Sequence, residues 1–224
     1  MDLVFALLLG AVQGLTEFLP ISSTGHLIIF EKLFNLPVDK FGLAFDASLH
    51  LGTLLAVILF FYRDYLDLVL NNRKLLPKII IGTLPAIVFG LLLESKIEGS
   101  FRSIQVVSLA MILFSIVIYF AEKIGKKNKN QGKLTNRDGL LIGLAQSLAL
   151  VPGISRSGST ISAGLFLGLT REESARFAFL LSGPIIAGAG LKKFSEVIFS
   201  NSSYDLNIFT VGIISSALFG YLTI

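Results

Sequence analysis

The chain has 224 residues, of which 53% are hydrophobic and only 15% are charged, whereas soluble domains carry about 25% charged residues. It contains no cysteine, which excludes disulfides, iron–sulfur clusters and thiolate-bound zinc. The net charge of +4 gives little support for nucleic-acid binding. The composition, with a mean hydropathy of +0.77, predicts an all-α, polytopic integral membrane protein. No cleavable signal sequence is expected, because no basic segment precedes the first apolar residues.

The first apolar stretch, residues 3–35, predicts a re-entrant helical hairpin rather than a membrane span. Pro20 and Gly25 divide it into two arms, and Glu17 interrupts the first arm. Neither arm offers the roughly 20 apolar residues that a span needs. Polar, irregular backbone at membrane depth is tolerated only where protein or water covers it. We therefore expect this stretch to line a functional cavity.

The remaining apolar runs predict about five spans. They cover residues 41–62, 78–93, 104–121, 174–191 and 206–224. Residues 63–77, 94–103 and 192–205 are expected to be loops. The most polar segment, 122–138, is predicted to be a basic loop between two halves of the chain.

Lysine and arginine residues predict the orientation of these spans. The loop after the first span and the loop after the third span are rich in them: Arg63, Arg73, Lys74, Lys78, Lys123, Lys126, Lys127, Lys129, Lys133 and Arg137. The intervening loop has only Lys96 and Arg102, offset by two glutamates. The two basic loops are therefore expected to be cytoplasmic, and the first hairpin is expected to enter the membrane from outside.

A weak internal repeat relates residues 1–121 to residues 139–224, with a second re-entrant hairpin at 139–168. An offset of 133 residues superimposes Gly10 on Gly143, Gln13 on Gln146, Leu15 on Leu148, Ser22 on Ser155, Thr24 on Ser157 and Gly25 on Gly158. Three spans lie between the copies, so the second copy is inverted. Inverted repeats with interrupted segments place their binding sites near the midplane, where we expect the two hairpins to meet.

The first hairpin carries a carboxylate, an imidazole and three hydroxyls within a few residues: Glu17, His26, Ser22, Ser23 and Thr24. Gln13 lies four residues before Glu17, on the same helix face. A carboxylate beside phosphate oxygens favours a divalent cation with hard oxygen ligands, such as Mg²⁺ or Ca²⁺. His26 is a candidate nucleophile, general base or general acid.

The second hairpin carries Arg156 among small and hydroxyl residues, namely Ser155, Ser157, Gly158, Ser159 and Thr160. The guanidinium of Arg156 suits a phosphate or a carboxylate. If the second arm begins near Ser157, its helix N-terminus also favours an anion. The pattern therefore predicts phosphate binding here.

Each of these residues also has a structural interpretation. Glu17 could pair with Arg156, His26 could be a structural hydrogen bonder, and the serines could serve helix packing. Asp46 and His50 are interpreted as the polar start of a span. Only the convergence of the groups favours catalysis.

The segments GLTEFLPISSTGH (residues 14–26) and PGISRSG (residues 152–158) resemble the two signature motifs of the bacterial undecaprenyl-diphosphatase family. This family is also known as the bacitracin-resistance proteins of the BacA/UppP type. The resemblance covers nearly the whole chain, including the segment around Asp46 and Thr53. It implies a metal-dependent, multi-pass phosphatase of the bacterial cytoplasmic membrane that opens toward the extracytoplasmic side. Such an enzyme converts undecaprenyl diphosphate to the monophosphate carrier lipid for peptidoglycan synthesis.

The resemblance also implies roles for single residues. Glu17 is implicated in metal binding or acid–base chemistry, and Gln13 occupies a position that is Glu in many members, so a two-carboxylate metal site is in question. Ser23 and His26 are candidates for the nucleophile or for proton transfer, and Arg156 matches the phosphate-binding arginine. Members typically continue for a sixth span beyond Ile224, so this chain is either truncated or a short member.

Three classes of function remain open at this point. A membrane lipid phosphatase uses all of the groups named above. An inverted-repeat transporter or flippase for an anionic lipid head group would use the same architecture. An intramembrane serine hydrolase would leave Arg156 and Glu17 without a role. The sequence leaves the nucleophile, the identity of the metal and the oligomeric state open.

Overall fold

The computed structural model describes residues 1–71, 73–199 and 205–224, and most of these residues are helical. Within the described residues there is no β-strand, and the backbones of Lys129 and Leu169 form one isolated bridge. The prediction of an all-α protein is confirmed.

Twelve α-helices are present in the described part of the chain. In chain order they are α1 (Asp2–Glu17), α2 (Ser23–Leu33), α3 (Val38–Phe41), α4 (Leu43–Phe60), α5 (Tyr62–Leu70), α6 (Leu76–Leu92), α7 (Glu94–Glu98), α8 (Ile104–Ile124), α9 (Asn136–Ser147), α10 (Arg156–Phe166), α11 (Arg171–Phe199) and α12 (Leu206–Thr223). Short 3-10 turns occupy Ser100–Arg102, Gln131–Lys133 and Leu148–Leu150.

Four helical segments of the described chain are long and apolar enough to cross a membrane. They are Val38–Phe60, Ile104–Ile124, Arg171–Lys192 and Leu206–Thr223. A fifth candidate, Leu76–Leu92 with Glu94–Arg102, is bent by 75°. Helix α8 exposes large apolar side chains such as Leu109, Ile112 and Leu113, as a lipid-facing surface requires. The prediction of a multi-pass membrane protein with about five spans is confirmed.

Both predicted hairpins consist of two short helices joined by an irregular turn. Residues 18–22 separate α1 from α2, and the chain between α9 and α10 includes a 3-10 turn. These helices have 16, 11, 12 and 11 residues, which is shorter than a membrane span requires. Their re-entrant path in the membrane and the division of the chain into two repeats stay predictions.

Three segments that were expected to be loops contain helix. Residues 63–77 include most of α5, because apolar side chains recur there at helical spacing and Leu68 is buried. Residues 94–103 contain α7 and a 3-10 turn. Helix α11 continues to Phe199, whereas the rest of the expected loop at 192–205 lies largely outside the described residues. Charged residues alone were therefore a poor guide to helix ends.

The chain divides into two compact units. The first comprises Met1–Leu19, Ser23–Phe60 and Gly183–Ile224. Its helices α1, α4 and α12 pack at close range, since a Cβ atom added at Gly14 would lie 2.6 Å from the backbone nitrogen of Gly220. At Gly52 an added Cβ would lie 2.4 Å from the carbonyl oxygen of Ile213. Small residues at these crossings let the backbones approach, as is common between membrane helices.

The second unit comprises Pro20–Ser22 and Phe61–Ser182. Here α9 packs closely on α6, because a Cβ atom added at Gly143 would lie 2.3 Å from the carbonyl oxygen of Gly82. Helix α10 packs against α8 and α9. Ion pairs of Arg171 with Glu122 and of Arg176 with Asp64 join the start of α11 to α8 and α5.

Candidate active site

Glu17 is the centre of a buried hydrogen-bond network at the end of α1. Its Oε2 atom accepts hydrogen bonds from Gln13 Nε2 at 2.8 Å and from Ser23 Oγ at 2.6 Å. Gln13 lies one helical turn earlier, and Ser23 is the first residue of α2. Gln13, Glu17 and Ser23 are all buried. A buried carboxylate is costly unless donors satisfy it, and the first residue of α2 supplies one of these donors.

His50 extends this network from α4. Its Nδ1 atom lies 2.8 Å from Gln13 Nε2 and 3.5 Å from Glu17 Oε2. The amide nitrogen of glutamine only donates, so Nδ1 of His50 accepts this hydrogen bond. Sequence reasoning interpreted His50 as the polar start of a span, and it missed this contact. An ionisable residue inside an apolar run was the signal that could have revealed it.

The other polar residues of the first hairpin lie where α2 begins. Ser22 directly precedes α2 and has a φ angle of 67°, in the left-handed region that residues other than glycine rarely adopt. Such strain is concentrated at functional sites. Thr24 and His26 lie in the first turn of α2 and are half-buried. The N-terminal end of the α2 dipole gives this turn a positive electrostatic potential.

The second hairpin is organised by hydrogen bonds to the backbone. Ser155 is the N-cap of α10, and its Oγ atom accepts a hydrogen bond from the Gly158 backbone nitrogen at 3.0 Å. Ser155 Oγ also lies 3.0 Å from Ser157 Oγ. Thr160 Oγ1 donates to the carbonyl oxygen of Arg156 at 2.9 Å. The hydroxyl groups thus fix the first turn of α10. Anion binding at this helix N-terminus stays a prediction.

Arg156 is the first residue of α10 and its side chain is half-buried. Packing is tight two residues later, since a Cβ atom at Gly158 would lie 3.2 Å from side-chain atoms of Phe114 and Ile118. Gly153, in the preceding turn, has a φ angle of 102°, which requires glycine. Packing and turn geometry together hold Arg156 at the helix start.

The donor set around Glu17 fits a divalent cation. Gln13 Oε1 is buried and has no hydrogen-bond partner. Together with the carboxylate of Glu17 it offers hard oxygen ligands. Among the described residues no group of three or more His, Asp or Glu side chains is arranged to hold a metal. Two protein oxygens suit Mg²⁺, which usually keeps water and substrate phosphate oxygens as its remaining ligands.

The structure therefore brings Gln13, Glu17 and Ser23 together, as the sequence suggested, and adds His50. It gathers Ser155, Ser157, Gly158 and Thr160 at the start of α10, beginning at Arg156. The prediction that the two hairpins meet stays a prediction.

The apolar spans and the two interrupted hairpins define a polytopic membrane protein, with a buried carboxylate–serine pair beside the turn of the first hairpin. The chain belongs to the bacitracin resistance protein BacA family, which matches residues 6–224. It is 44% identical to an undecaprenyl-diphosphatase of Rubrobacter xylanophilus, over 100% of this chain and 88% of the relative. Proteins of the same name from Thermodesulfovibrio yellowstonii and Moorella thermoacetica are 43% and 40% identical, over 100% of this chain and 87% of each relative.

Proposed function

We infer that this protein is a membrane lipid phosphatase that hydrolyses undecaprenyl diphosphate to undecaprenyl phosphate and inorganic phosphate. The observation that carries this inference is the 2.6 Å hydrogen bond from Ser23 to Glu17, in a chain whose relatives are named undecaprenyl-diphosphatase. Family membership supports the phosphatase over the transporter alternative. The product is the carrier lipid that cell-wall synthesis reuses.

Ser23 is the nucleophile in this proposal, and Glu17 is its general base. The hydroxyl proton of Ser23 already points at Glu17 Oε2, so attack on the terminal phosphorus transfers that proton to the carboxylate. The new Ser23–phosphorus bond forms as the anhydride bond between the two phosphates breaks. Undecaprenyl phosphate leaves with the electron pair of that bond. Water then attacks the phosphoserine, releases inorganic phosphate and restores Ser23.

His26 is the proposed proton-transfer group for the leaving phosphate. It lies three residues after Ser23 on α2, so the two side chains share one helix face. An imidazole can donate a proton to the departing oxygen and later accept one from the attacking water. Ser22 and Thr24 flank Ser23, and we propose that their polar groups contact the substrate.

Arg156 is the proposed phosphate-binding residue. Its guanidinium offers paired N–H donors that match phosphate oxygens, and the first turn of α10 adds backbone N–H groups. Phosphoryl transfer depends mainly on positioning and charge neutralisation, which these groups supply. Ser155, Ser157, Gly158 and Thr160 shape that turn. The polyprenyl tail would lie in the lipid-facing apolar surface.

Glu17 and the Oε1 atom of Gln13 are the proposed ligands of a divalent cation, Mg²⁺ or Ca²⁺. When bound, such a cation supplies positive charge to the phosphate oxygens. The buried, unpartnered Oε1 atom supports this assignment.

The proposed location is the bacterial cytoplasmic membrane, with the first hairpin entering from the extracytoplasmic side. The distribution of Lys and Arg supports this orientation. Because the chain has no cysteine, single-cysteine labelling can test it. A cysteine at the exposed Ser100 should react with an impermeant maleimide in intact cells, whereas one at the exposed Lys126 should react only after permeabilisation. The reverse pattern would overturn the orientation.

Phosphate release from undecaprenyl diphosphate by purified protein in detergent tests the function. We expect release with Mg²⁺, loss of release with EDTA, and loss in Ser23→Ala and Arg156→Ala. Substrate labelled with ³²P at the terminal phosphate should leave acid-stable label on the wild-type protein and none on Ser23→Ala. Release without any protein labelling would overturn the covalent step, and no release from folded protein would overturn the function.

A further inference from the structure

The amide group of Gln13 is held in one orientation by two acceptors. Its Nε2 atom lies 2.8 Å from Glu17 Oε2 and 2.8 Å from His50 Nδ1. Each contact uses one of the two amide hydrogens. A flipped amide would bring its oxygen against the Glu17 carboxylate oxygen and would lose the hydrogen bond to it.

This orientation leaves the amide oxygen of Gln13, Oε1, without a partner. With both N–H groups engaged, Oε1 is the remaining polar atom of the side chain, and it is buried without a hydrogen-bond partner. Gln13 is fully buried, so bulk water does not satisfy this oxygen. A buried, unsatisfied carbonyl oxygen costs free energy, and a cation that binds it would remove that cost.

From this geometry we infer that His50 is a positioning residue, which fixes the Gln13 amide so that Oε1 is presented as a ligand to a divalent cation. The inference rests on the proposed function, because that cation is the one assigned to Glu17 and Gln13. His50 does not itself bind the cation. It acts through Gln13, as outer groups commonly orient metal ligands.

The ring of His50 is positioned by the packing of α4. Leu49, which precedes His50 in the chain, is fully buried. The carbonyl oxygen of Leu49 accepts a hydrogen bond from Ser216 on α12 at 2.7 Å. Gly52, two residues after His50, lies in the close crossing with α12. Helix α4 is therefore fixed relative to α12, which also packs on α1. His50 meets Gln13 across 37 residues of sequence because these helices share one packed unit.

The test compares substitutions that differ in whether they keep the acceptor. His50→Leu and His50→Met remove it, whereas His50→Gln keeps an oxygen that can accept from Gln13. Ser48→Ala is the matched control, because the buried Ser48 hydroxyl donates to the Phe45 carbonyl on the same helix and lies outside the network. Two readouts are needed for each variant. They are the Mg²⁺ concentration at half-maximal phosphate release, and the rise in melting temperature that Mg²⁺ causes relative to EDTA.

We expect His50→Leu and His50→Met to raise the half-maximal Mg²⁺ concentration about tenfold and to reduce the Mg²⁺-induced rise in melting temperature. Saturating Mg²⁺ should largely restore kcat. His50→Gln should stay near the wild-type value, and Ser48→Ala should be unchanged. In a double substitution, Gln13→Leu should abolish any further effect of His50→Leu, because both act on the same ligand.

An unchanged Mg²⁺ requirement in both apolar variants would overturn the inference. So would an equal loss in His50→Gln, because a purely steric role would not distinguish an acceptor from an apolar side chain. If the wild-type protein releases no phosphate, the proposed function fails, while the Mg²⁺-induced change in melting temperature still decides whether His50 positions a cation ligand.

Discussion

The two hairpins share a backbone plan but satisfy their polar groups in different ways. In the first hairpin, side chains bond to one another around the carboxylate of Glu17. In the second hairpin, hydroxyl groups bond mainly to the backbone at the start of α10. A network of side chains can exchange protons, whereas a capped helix start presents a fixed set of N–H donors. This difference is the structural basis on which we propose chemistry for the first hairpin and anion binding for the second.

The offset of 133 residues allows the two hairpins to be compared residue by residue. Ser23, the first residue of α2, corresponds to Arg156, the first residue of α10. Glu17 corresponds to Leu150, and Gln13 corresponds to Gln146. Gln146 Nε2 donates to the carbonyl oxygen of Gly82 at 3.3 Å. Gln13 Nε2, by contrast, contacts Glu17 and His50. At this offset, the proposed base and nucleophile of the first hairpin correspond to a leucine and an arginine in the second.

The largest effect is expected at the position where the hairpins differ most. Glu17→Gln keeps the size of the side chain but removes the base, so kcat should fall about 100- to 10,000-fold. Thr16→Val is the matched control, because Thr16 donates to the Val12 carbonyl within α1 and not to the network. Steady-state phosphate release measures both variants. Equal losses in the two would contradict the role of Glu17.

A second prediction concerns the glycines that the hairpins share. Alanine at Gly10 or Gly143 would place a Cβ atom 2.4 Å from the Gly212 oxygen or 2.3 Å from the Gly82 oxygen. Overpacking of this kind costs about 1–3 kcal/mol, so both variants should melt earlier in detergent. Gly188→Ala is the control, since a Cβ atom there meets nothing within 4 Å. Destabilisation by all three to the same extent would contradict the close helix crossings.

A third prediction compares the loss of two helix N-caps in the second unit, those of α10 and α9. Ser155→Ala and Thr135→Ala each remove an N-cap hydrogen bond, at the start of α10 and α9 respectively. Each should cost about 0.5–2 kcal/mol of unfolding free energy. Only Ser155→Ala should also raise KM, because only α10 is proposed to bind the diphosphate. A matching rise in KM for Thr135→Ala would remove the distinction.

The smallest effect is expected on the pH dependence of stability, through Asp138 at the start of α9. Burial opposes ionisation of Asp138, but hydrogen bonds from the Thr135 backbone and from Lys129 outweigh it and lower the pKa of that carboxyl. Because the pKa is lower in the folded state, the charged form stabilises the fold above the ordinary value of 3.8. This contribution is lost as the pH falls through the lowered pKa.

Asp138→Asn should therefore cost about 1 kcal/mol at neutral pH and show a weaker decline of melting temperature below pH 4. Lys129→Met tests the other side of the pair, since its ammonium lies 2.9 Å from Asp138 Oδ2. An acid profile identical to that of the wild-type protein would show that Asp138 contributes nothing to stability.

Much of this architecture follows from local pattern. The apolar runs predicted the spans because membrane insertion depends on the summed hydropathy of a segment. The sequence analysis placed the start of α10 near Ser157, within one residue of its observed start at Arg156. Helix α5 was not predicted, because its charged residues masked the apolar spacing that buries Leu68.

The sequence by itself determined the fold class and indicated the interrupted hairpins. It also indicated that Gln13, Glu17 and Ser23 lie together, because these three residues are close in the chain. Only the tertiary structure decided that His50 joins them. That contact requires α1 and α4 to be held in register by α12, through glycine crossings whose distances no local pattern encodes. The orientation of the Gln13 amide likewise depends on a contact between residues 37 positions apart.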